Sequence, residues 1–193
     1  GLDQHIEDPE KSPVFKKYPF FLANHHAVAF FTDPLKSLSS GAIEDHHLAD
    51  VLDADLEKHH NEEKMIPAAI TKMGDAMPGF GIVAAVLGVV ITMQSIGGAA
   101  SEIGEKVAAA LVGTFLGILL AYGVIGPMAS AVEARLESEH SYLICLRAAL
   151  LAFARGDAPK QTAEAARRSL EPHVRPTFSE LEALMKGTKT QNA

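Results

Sequence analysis

The sequence predicts an all-α integral membrane protein with two transmembrane helices between helical segments that face water. Three observations support this fold class. Residues 76–101 and residues 107–132 carry no charged side chain, the segments on both sides of them are charged like soluble proteins, and the connection between them is short. About 20 helical residues cross a hydrocarbon layer of roughly 30 Å, so each uncharged stretch is long enough to span it.

The composition excludes several other classes of protein. The 193 residues have a net charge of −7, which argues against a nucleic-acid binder with a basic surface. The single cysteine, Cys145, rules out an intramolecular disulfide framework and a cysteine-rich zinc site. Neither uncharged stretch is N-terminal, so neither is a signal peptide. A buried helical hairpin of a soluble protein stays open as an alternative.

The distribution of basic residues predicts the orientation in the membrane. The connection, residues 94–106, contains Lys106 as its only basic residue, whereas both flanking segments are rich in Lys and Arg. By the positive-inside rule both termini are cytoplasmic and the connection is outside. The predicted organisation is therefore a cytoplasmic helical domain over 1–75, a transmembrane hairpin over 76–132, and C-terminal cytoplasmic helices with a tail over 133–193.

Small residues recur at helical spacing in both predicted spans. Because lipid supplies little hydrophobic drive between helices, close backbone packing through small residues is a main attractive term. We therefore predict a tightly packed helix bundle, although Gly and Ala are also common in membrane helices generally. The predicted packing faces consist of Ala109, Gly113, Gly117 and Ala121 in the second span, and Gly81, Ala84, Ala85 and Gly88 in the first.

Two prolines and a few polar residues interrupt the apolar stretches. Pro78 and Pro127 each remove an amide donor, and they mark either helix ends or sites that face protein or water. The polar residues are Thr92, Gln94, Thr114 and Tyr122, and no Asp, Glu, Lys, Arg or His lies within either stretch. A proton pathway ordinarily needs an ionisable group. Either this chain conducts nothing, or a partner chain supplies the carboxylate.

The segments outside the membrane read as helices separated by turns. Breaks are expected at Tyr18-Pro19, at Asp33-Pro34 and over 39–41, and the helix that begins near Ile43 is expected to lead into the first span after Pro67. Thr177 or Ser179 is expected to cap a last short helix.

No motif in the sequence indicates catalysis or a metal site. Several histidines occur as adjacent pairs, such as His59 and His60. The side chains of adjacent residues diverge by about 100° on a helix, so such a pair does not easily share a metal ion. There is no nucleophile elbow and no phosphate-binding loop, and Cys145 lies among apolar neighbours. We therefore expect neither an enzyme nor a protein with a metal or other cofactor.

Two stretches resemble the motility protein A (MotA) family, the stator subunits of the bacterial flagellar motor. They are residues 74–89 (GDAMPGFGIVAAVLGV) and 110–127 (ALVGTFLGILLAYGVIGP). Residues 3–9, 12–19 and 175–181 are similar to the cytoplasmic segments of the family, so the resemblance covers essentially the whole chain. MotA has four membrane helices, and the two spans here match the third and fourth. The resemblance therefore implies that the first two precede Gly1 in a longer protein.

The resemblance also implies a mechanism and partners. In the family, five MotA copies surround two copies of MotB, whose helix carries the proton-binding aspartate. Proton passage drives the MotA cytoplasmic domain against the rotor protein FliG. Pro78 and Pro127 match the prolines that couple ion flow to this motion. Thr114 matches the threonine that faces the MotB carboxylate, and Tyr122 lies two turns further on.

The rotor contact is only partly represented in the sequence. Asp3 matches the acidic rotor-contact residue, with a shorter side chain than is usual in the family, and the basic contact residue would lie before Gly1. The resemblance places the protein in the inner membrane. Alternatives are an energy-transducing channel subunit of the ExbB/TolQ class and a fragment that does not conduct. The span motifs favour protons over sodium as the driving ion.

Overall fold

The structure, a computed structural model, describes the backbone of residues 2–94 and 96–191. It describes the side chains of these residues except residues 2, 3, 45 and 188–191. This part of the chain folds into helices and turns and contains no β-strand. The elements in chain order are α1 (Leu2–Glu7), a 3-10 turn (Phe15–Lys17), α2 (Pro19–Ala23), α3 (His25–Ser39), α4 (Asp45–Met93), α5 (Ala100–Leu120), a π-helical segment (Ala121–Ile125), α6 (Gly126–Ala154), α7 (Pro159–Ser169) and α8 (Phe178–Gln191).

The predicted fold class is confirmed. Two helical stretches, His46–Met93 and Ala100–Ala154, are long and apolar enough to cross a membrane. Most of the large apolar side chains of both uncharged stretches are exposed, including Phe80 and Phe115, each with 65% of its surface accessible. A soluble core helix would bury them, so this surface calls for hydrocarbon or partner helices around it.

Two of the predicted helix breaks are present and one is absent. Pro19 begins α2, and Gly41 adopts a positive φ of 70° beyond the end of α3. However, α3 runs through Pro34, so the prediction of a break at Asp33-Pro34 was wrong, and α4 runs through Pro67 into the first uncharged stretch. Pro67 is buried, and Leu35 next to Pro34 belongs to the core. Tertiary packing therefore outweighs the loss of one helical hydrogen bond at each proline.

The chain divides into two compact units. The first combines the described residues of 1–60 and 138–193, and the second comprises residues 61–137. These units are defined by contacts within the protein and not by the position of the membrane. The predicted division at residues 75 and 132 therefore stays a prediction about membrane topology.

The first unit has a conventional apolar core. Its fully buried side chains come from four helices: Ile6 from α1, Ala27 from α3, Leu48 and Leu52 from α4, and Leu143 and Leu150 from α6. Polar contacts fix the surrounding elements. Asn24 caps α3 by accepting from the Ala27 amide at 2.9 Å, and its side-chain amide donates to Glu139 at 2.5 Å. The Arg147 guanidinium pairs with Asp53 at 2.6 Å.

Candidate functional site

The second unit brings α4 and α5 together at glycine residues. A Cβ atom added to Gly81 would lie 2.8 Å from the carbonyl oxygen of Gly113 and 2.9 Å from the Cα of Thr114. One added to Gly117 would lie 2.6 Å from the carbonyl oxygen of Met77. Because the nearest atoms are backbone and cannot rotate away, only glycine permits this approach. The two helices therefore contact each other backbone to backbone, as small residues allow in membranes.

Most of the predicted small-residue faces lie in this contact. Gly113 would place a Cβ atom 3.0 Å from that of Ala84, and Ala121 is buried. Gly88, however, packs against Ala110, while Ala109 is exposed. Residues seven apart on an α-helix differ by only about 20° in direction, whereas residues eight apart differ by about 80°. Counting back from Gly117, Ala110 therefore shares the packing face and Ala109 does not.

Thr114 lies at the centre of this contact. Its hydroxyl donates to the carbonyl oxygen of Gly81 at 3.2 Å, which joins the two helices across 33 residues of sequence. Thr92 makes a local bond instead, donating to the carbonyl oxygen of Gly88 at 2.8 Å. Each hydroxyl thus has an acceptor within the chain, which removes the cost of an unpaired polar group in an apolar setting.

Pro78 lies inside α4, next to the closest helix contact. It is half-buried, and its neighbour Met77 presents the carbonyl oxygen that approaches Gly117. Since proline has no amide hydrogen, the carbonyl of Gly74 lacks its usual helical donor. Gly74 is itself buried, and a Cβ atom there would lie 3.1 Å from Ile125. Pro78 therefore weakens the turn of α4 in which Gly74 contacts the π-helical segment.

Pro127 follows an irregular helical turn. Residues Ala121–Ile125 are π-helical, and the amide of Gly126 donates to the carbonyl oxygen of Ala121, five residues earlier. Pro127 has no amide hydrogen for the carbonyl of Gly123, and its ring would crowd that carbonyl in a regular α-turn. A widened turn relieves this crowding, and single π turns are frequent at functional sites. The position of a proline alone does not indicate the π segment, because α4 continues as an α-helix through Pro78.

The remaining predicted site residues lie at the edges of this unit or outside the described side chains. Tyr122, in the π segment, is 72% exposed, and Gln94 is exposed in the turn after α4. Asp3 lies on α1, but its side chain is outside the described residues, so its rotor contact stays a prediction. In the described part of the chain, no group of three or more His, Cys, Asp or Glu side chains is placed to hold a metal ion.

Comparisons with known proteins match this arrangement. Residues 23–143 match the MotA/TolQ/ExbB proton channel family. The chain is 37% identical to chemotaxis protein LafT of Vibrio parahaemolyticus over 94% of the chain and 64% of that protein. It is 36% identical to motility protein A of Salmonella typhimurium over 100% of the chain and 65% of that protein. The chain thus spans just under two thirds of the length of these curated relatives.

A solved structure of C. jejuni MotAB shares the fold. It superposes with a TM-score of 0.71 over 92% of this chain and 69% of that chain, at 16% sequence identity. At this identity the likeness concerns the fold alone, whereas the family model covers well over half of the chain. Together with the glycine contact between two membrane-length helices, these matches show that the chain belongs to the MotA/TolQ/ExbB proton channel family.

Proposed function

We propose that this chain is part of a stator subunit of the bacterial flagellar motor, and that it couples proton flow to torque on the rotor. The observation that carries the proposal is the hairpin itself. Its two helices meet through glycine at the positions of the family motifs, and neither uncharged stretch contains Asp, Glu, Lys, Arg or His. Relatives named motility protein A and chemotaxis protein LafT favour motility over the ExbB/TolQ class.

Because neither uncharged stretch contains an acidic or basic side chain, a partner chain is proposed to supply the proton carrier. In our proposal a MotB helix supplies a carboxylate, and Thr114 and Tyr122 line its path. The Thr114 hydroxyl donates to Gly81 in the isolated chain, so it can exchange this acceptor for a partner carboxylate. A hydroxyl beside a buried carboxyl group stabilises its protonated and ionised forms differently, which is useful for proton transfer.

Pro78 and Pro127 are proposed to couple proton movement to helix movement. Each weakens a turn, and the two weakened turns lie on helices that are in contact through Gly74 and Ile125. A change of charge in the partner helix would then shift these turns at a smaller cost than it would shift regular α-helix. The motion would reach the rotor protein FliG through the cytoplasmic helices, with Asp3 as one contact.

The exposed apolar side chains of the hairpin support assembly with other helices. We propose that five copies of the chain surround a MotB dimer in the inner membrane, with both ends of this chain in the cytoplasm. The small-residue face of each hairpin is used internally. The large side chains, such as Phe80, Phe115 and Tyr122, are therefore the ones available to lipid, to neighbouring copies and to MotB.

The test is substitution of the two prolines in the chromosomal gene of the source cell. We expect Pro78→Leu or Pro127→Leu to abolish flagellar rotation in tethered cells, because leucine restores a helical donor and stiffens the turn. The amount of protein in the membrane fraction should stay unchanged. Pro172→Leu, at an exposed position between α7 and α8, is the control and should rotate normally. Normal rotation in both hairpin variants would refute the coupling role.

A further inference from the structure

Four histidines from three helices form two stacked pairs in the first unit. The rings of His26, on α3, and His59, on α4, are parallel within 9°, with centroids 3.6 Å apart. The rings of His60, on α4, and His140, on α6, stack within 21°, with centroids 3.9 Å apart. All four side chains are half-buried. The adjacent residues His59 and His60 thus point to different partners, and together the stacks connect α4 to both other helices.

Nearby carboxylates and the burial of the ring shift the pKa of His26 in opposite directions. The carboxylates of Asp55, on α4, and Glu139, on α6, favour a proton on His26. Glu63 follows His59 by one helical turn on α4. Nevertheless the pKa of His26 is lowered from its ordinary value, first by burial and second by the neighbouring His59. Burial and the facing ring therefore outweigh the carboxylates, and the neutral ring is the preferred state of His26 in the folded unit.

Stacking at these distances suits neutral imidazoles and disfavours two imidazolium ions. A single proton in a stack can be balanced by a nearby carboxylate. A second proton in the same stack places like charges less than 4 Å apart in a partly buried setting, where solvent screens them poorly. An ordinary imidazole group changes charge between about pH 7 and pH 5, which is the pH range of this conflict.

We propose that the stack of His26 and His59 forms a pH-sensitive latch, which holds α3 against α4 at neutral pH and releases it on acidification. The sign follows from the direction of the shift at His26. When α3 opens, the ring regains a higher pKa and binds a proton more readily than in the closed unit. The closed arrangement is therefore fully stable above an ordinary histidine pKa of about 6.5 and loses stability as the pH falls below it. This inference does not depend on the proposed motor function.

Hydrogen exchange measured by mass spectrometry on the whole chain in detergent micelles tests the latch. After correction for the intrinsic pH dependence of exchange, we expect amides of α3 to exchange several-fold faster at pH 5.5 than at pH 7.5, because the open form binds the His26 proton more readily than the closed form. His26→Gln should remove most of this difference, because glutamine stays neutral.

His25→Gln is the matched control, since His25 adjoins His26 but is exposed. It should keep the full pH response. The latch would be overturned if the unsubstituted chain showed equal protection at both pH values. It would also be overturned if the His26→Gln variant responded to pH as strongly as the unsubstituted chain.

Discussion

Gly79 and Gly81 lie two residues apart on α4, but their surroundings are opposite. A Cβ atom on Gly81 would meet backbone atoms of α5 at less than 3 Å, whereas one on Gly79 would have nothing within 4 Å. The same chemical change thus has different consequences at the two positions. The sequence composition does not distinguish these two glycines. They differ because they face different directions around α4.

This contrast gives a prediction for the stability of the hairpin. Gly81→Ala should destabilise it by about 1–3 kcal/mol, because the methyl group must push two backbones apart. Gly79→Ala should be neutral or slightly stabilising, since alanine is the better helix former. Denaturant titration in mixed detergent micelles, followed by circular dichroism, measures both variants. Equal stability of the two variants would contradict backbone contact at Gly81.

Helical spacing predicted most of the residues in this contact. Gly81, Gly88, Gly113, Gly117 and Ala121 all lie on buried or half-buried positions. Ala109 does not, because a spacing of four residues drifts by about 40° per step on a helix of 3.6 residues per turn. The hydrogen bond from Thr114 to Gly81 was not predictable, since it depends on which residue of α4 faces Thr114 across the contact.

At the scale of elements, ionic and polar contacts order the C-terminal helices of the first unit. Glu164 on α7 accepts from Arg167 at 2.7 Å and from Arg168 at 2.8 Å. Arg167 also donates to the carbonyl of Pro176 at 2.9 Å, which ties α7 to the chain before α8. Thr177 caps α8 as one of the two predicted candidates, by accepting from the amide of Glu180 at 3.3 Å.

The charge cluster on α7 predicts a titration at low pH. Hydrogen bonds from Arg167 and then Arg168 lower the pKa of Glu164 to about 2. The folded form thus binds this proton less readily than the unfolded form. The contribution of Glu164 to the free energy of unfolding is therefore complete above about pH 4.5 and is lost as the pH falls towards 2. Carbon-13 NMR of the Glu164 carboxyl group measures the midpoint directly.

Arg167→Gln should move this midpoint upward, because the largest cause of the shift is removed. Arg155→Gln is the control, since Arg155 pairs with Asp157 and does not reach Glu164. An unchanged midpoint in the Arg167 variant would show that the cluster does not set the pKa. The bond from Arg167 to Pro176 was not predictable from sequence spacing, because it depends on the path of the chain between α7 and α8.

At the scale of the whole molecule, the two units have opposite kinds of surface. The first unit buries its large apolar side chains in a core of its own, whereas the second exposes them along both helices. The exposure of these side chains was predictable from the sequence, because charge is absent over two stretches of membrane length and frequent elsewhere. How α1, α3, α4 and α6 combine into one core was not predictable, because it depends on contacts between segments more than 80 residues apart.

The orientation predicted from the basic residues can be measured by cysteine labelling. In a Cys145→Ser background the chain has no other cysteine. Ile96→Cys, in the connection between the spans, should react with a membrane-impermeant maleimide in intact spheroplasts. Glu10→Cys and Glu171→Cys, both exposed in the first unit, should react only after lysis. The reverse pattern of labelling would place the connection in the cytoplasm and refute the orientation.

The π segment also sets the rotational phase of the helix that contains it. Gly117 and Ala129 are twelve residues apart and both are buried. On an uninterrupted α-helix, at about 100° per residue, they would point about 120° apart. The π turn accommodates one additional residue, which reduces the difference to about 20°. The widened turn therefore accommodates one extra residue without rotating the rest of the helix, so one buried face continues through the proline and into α6.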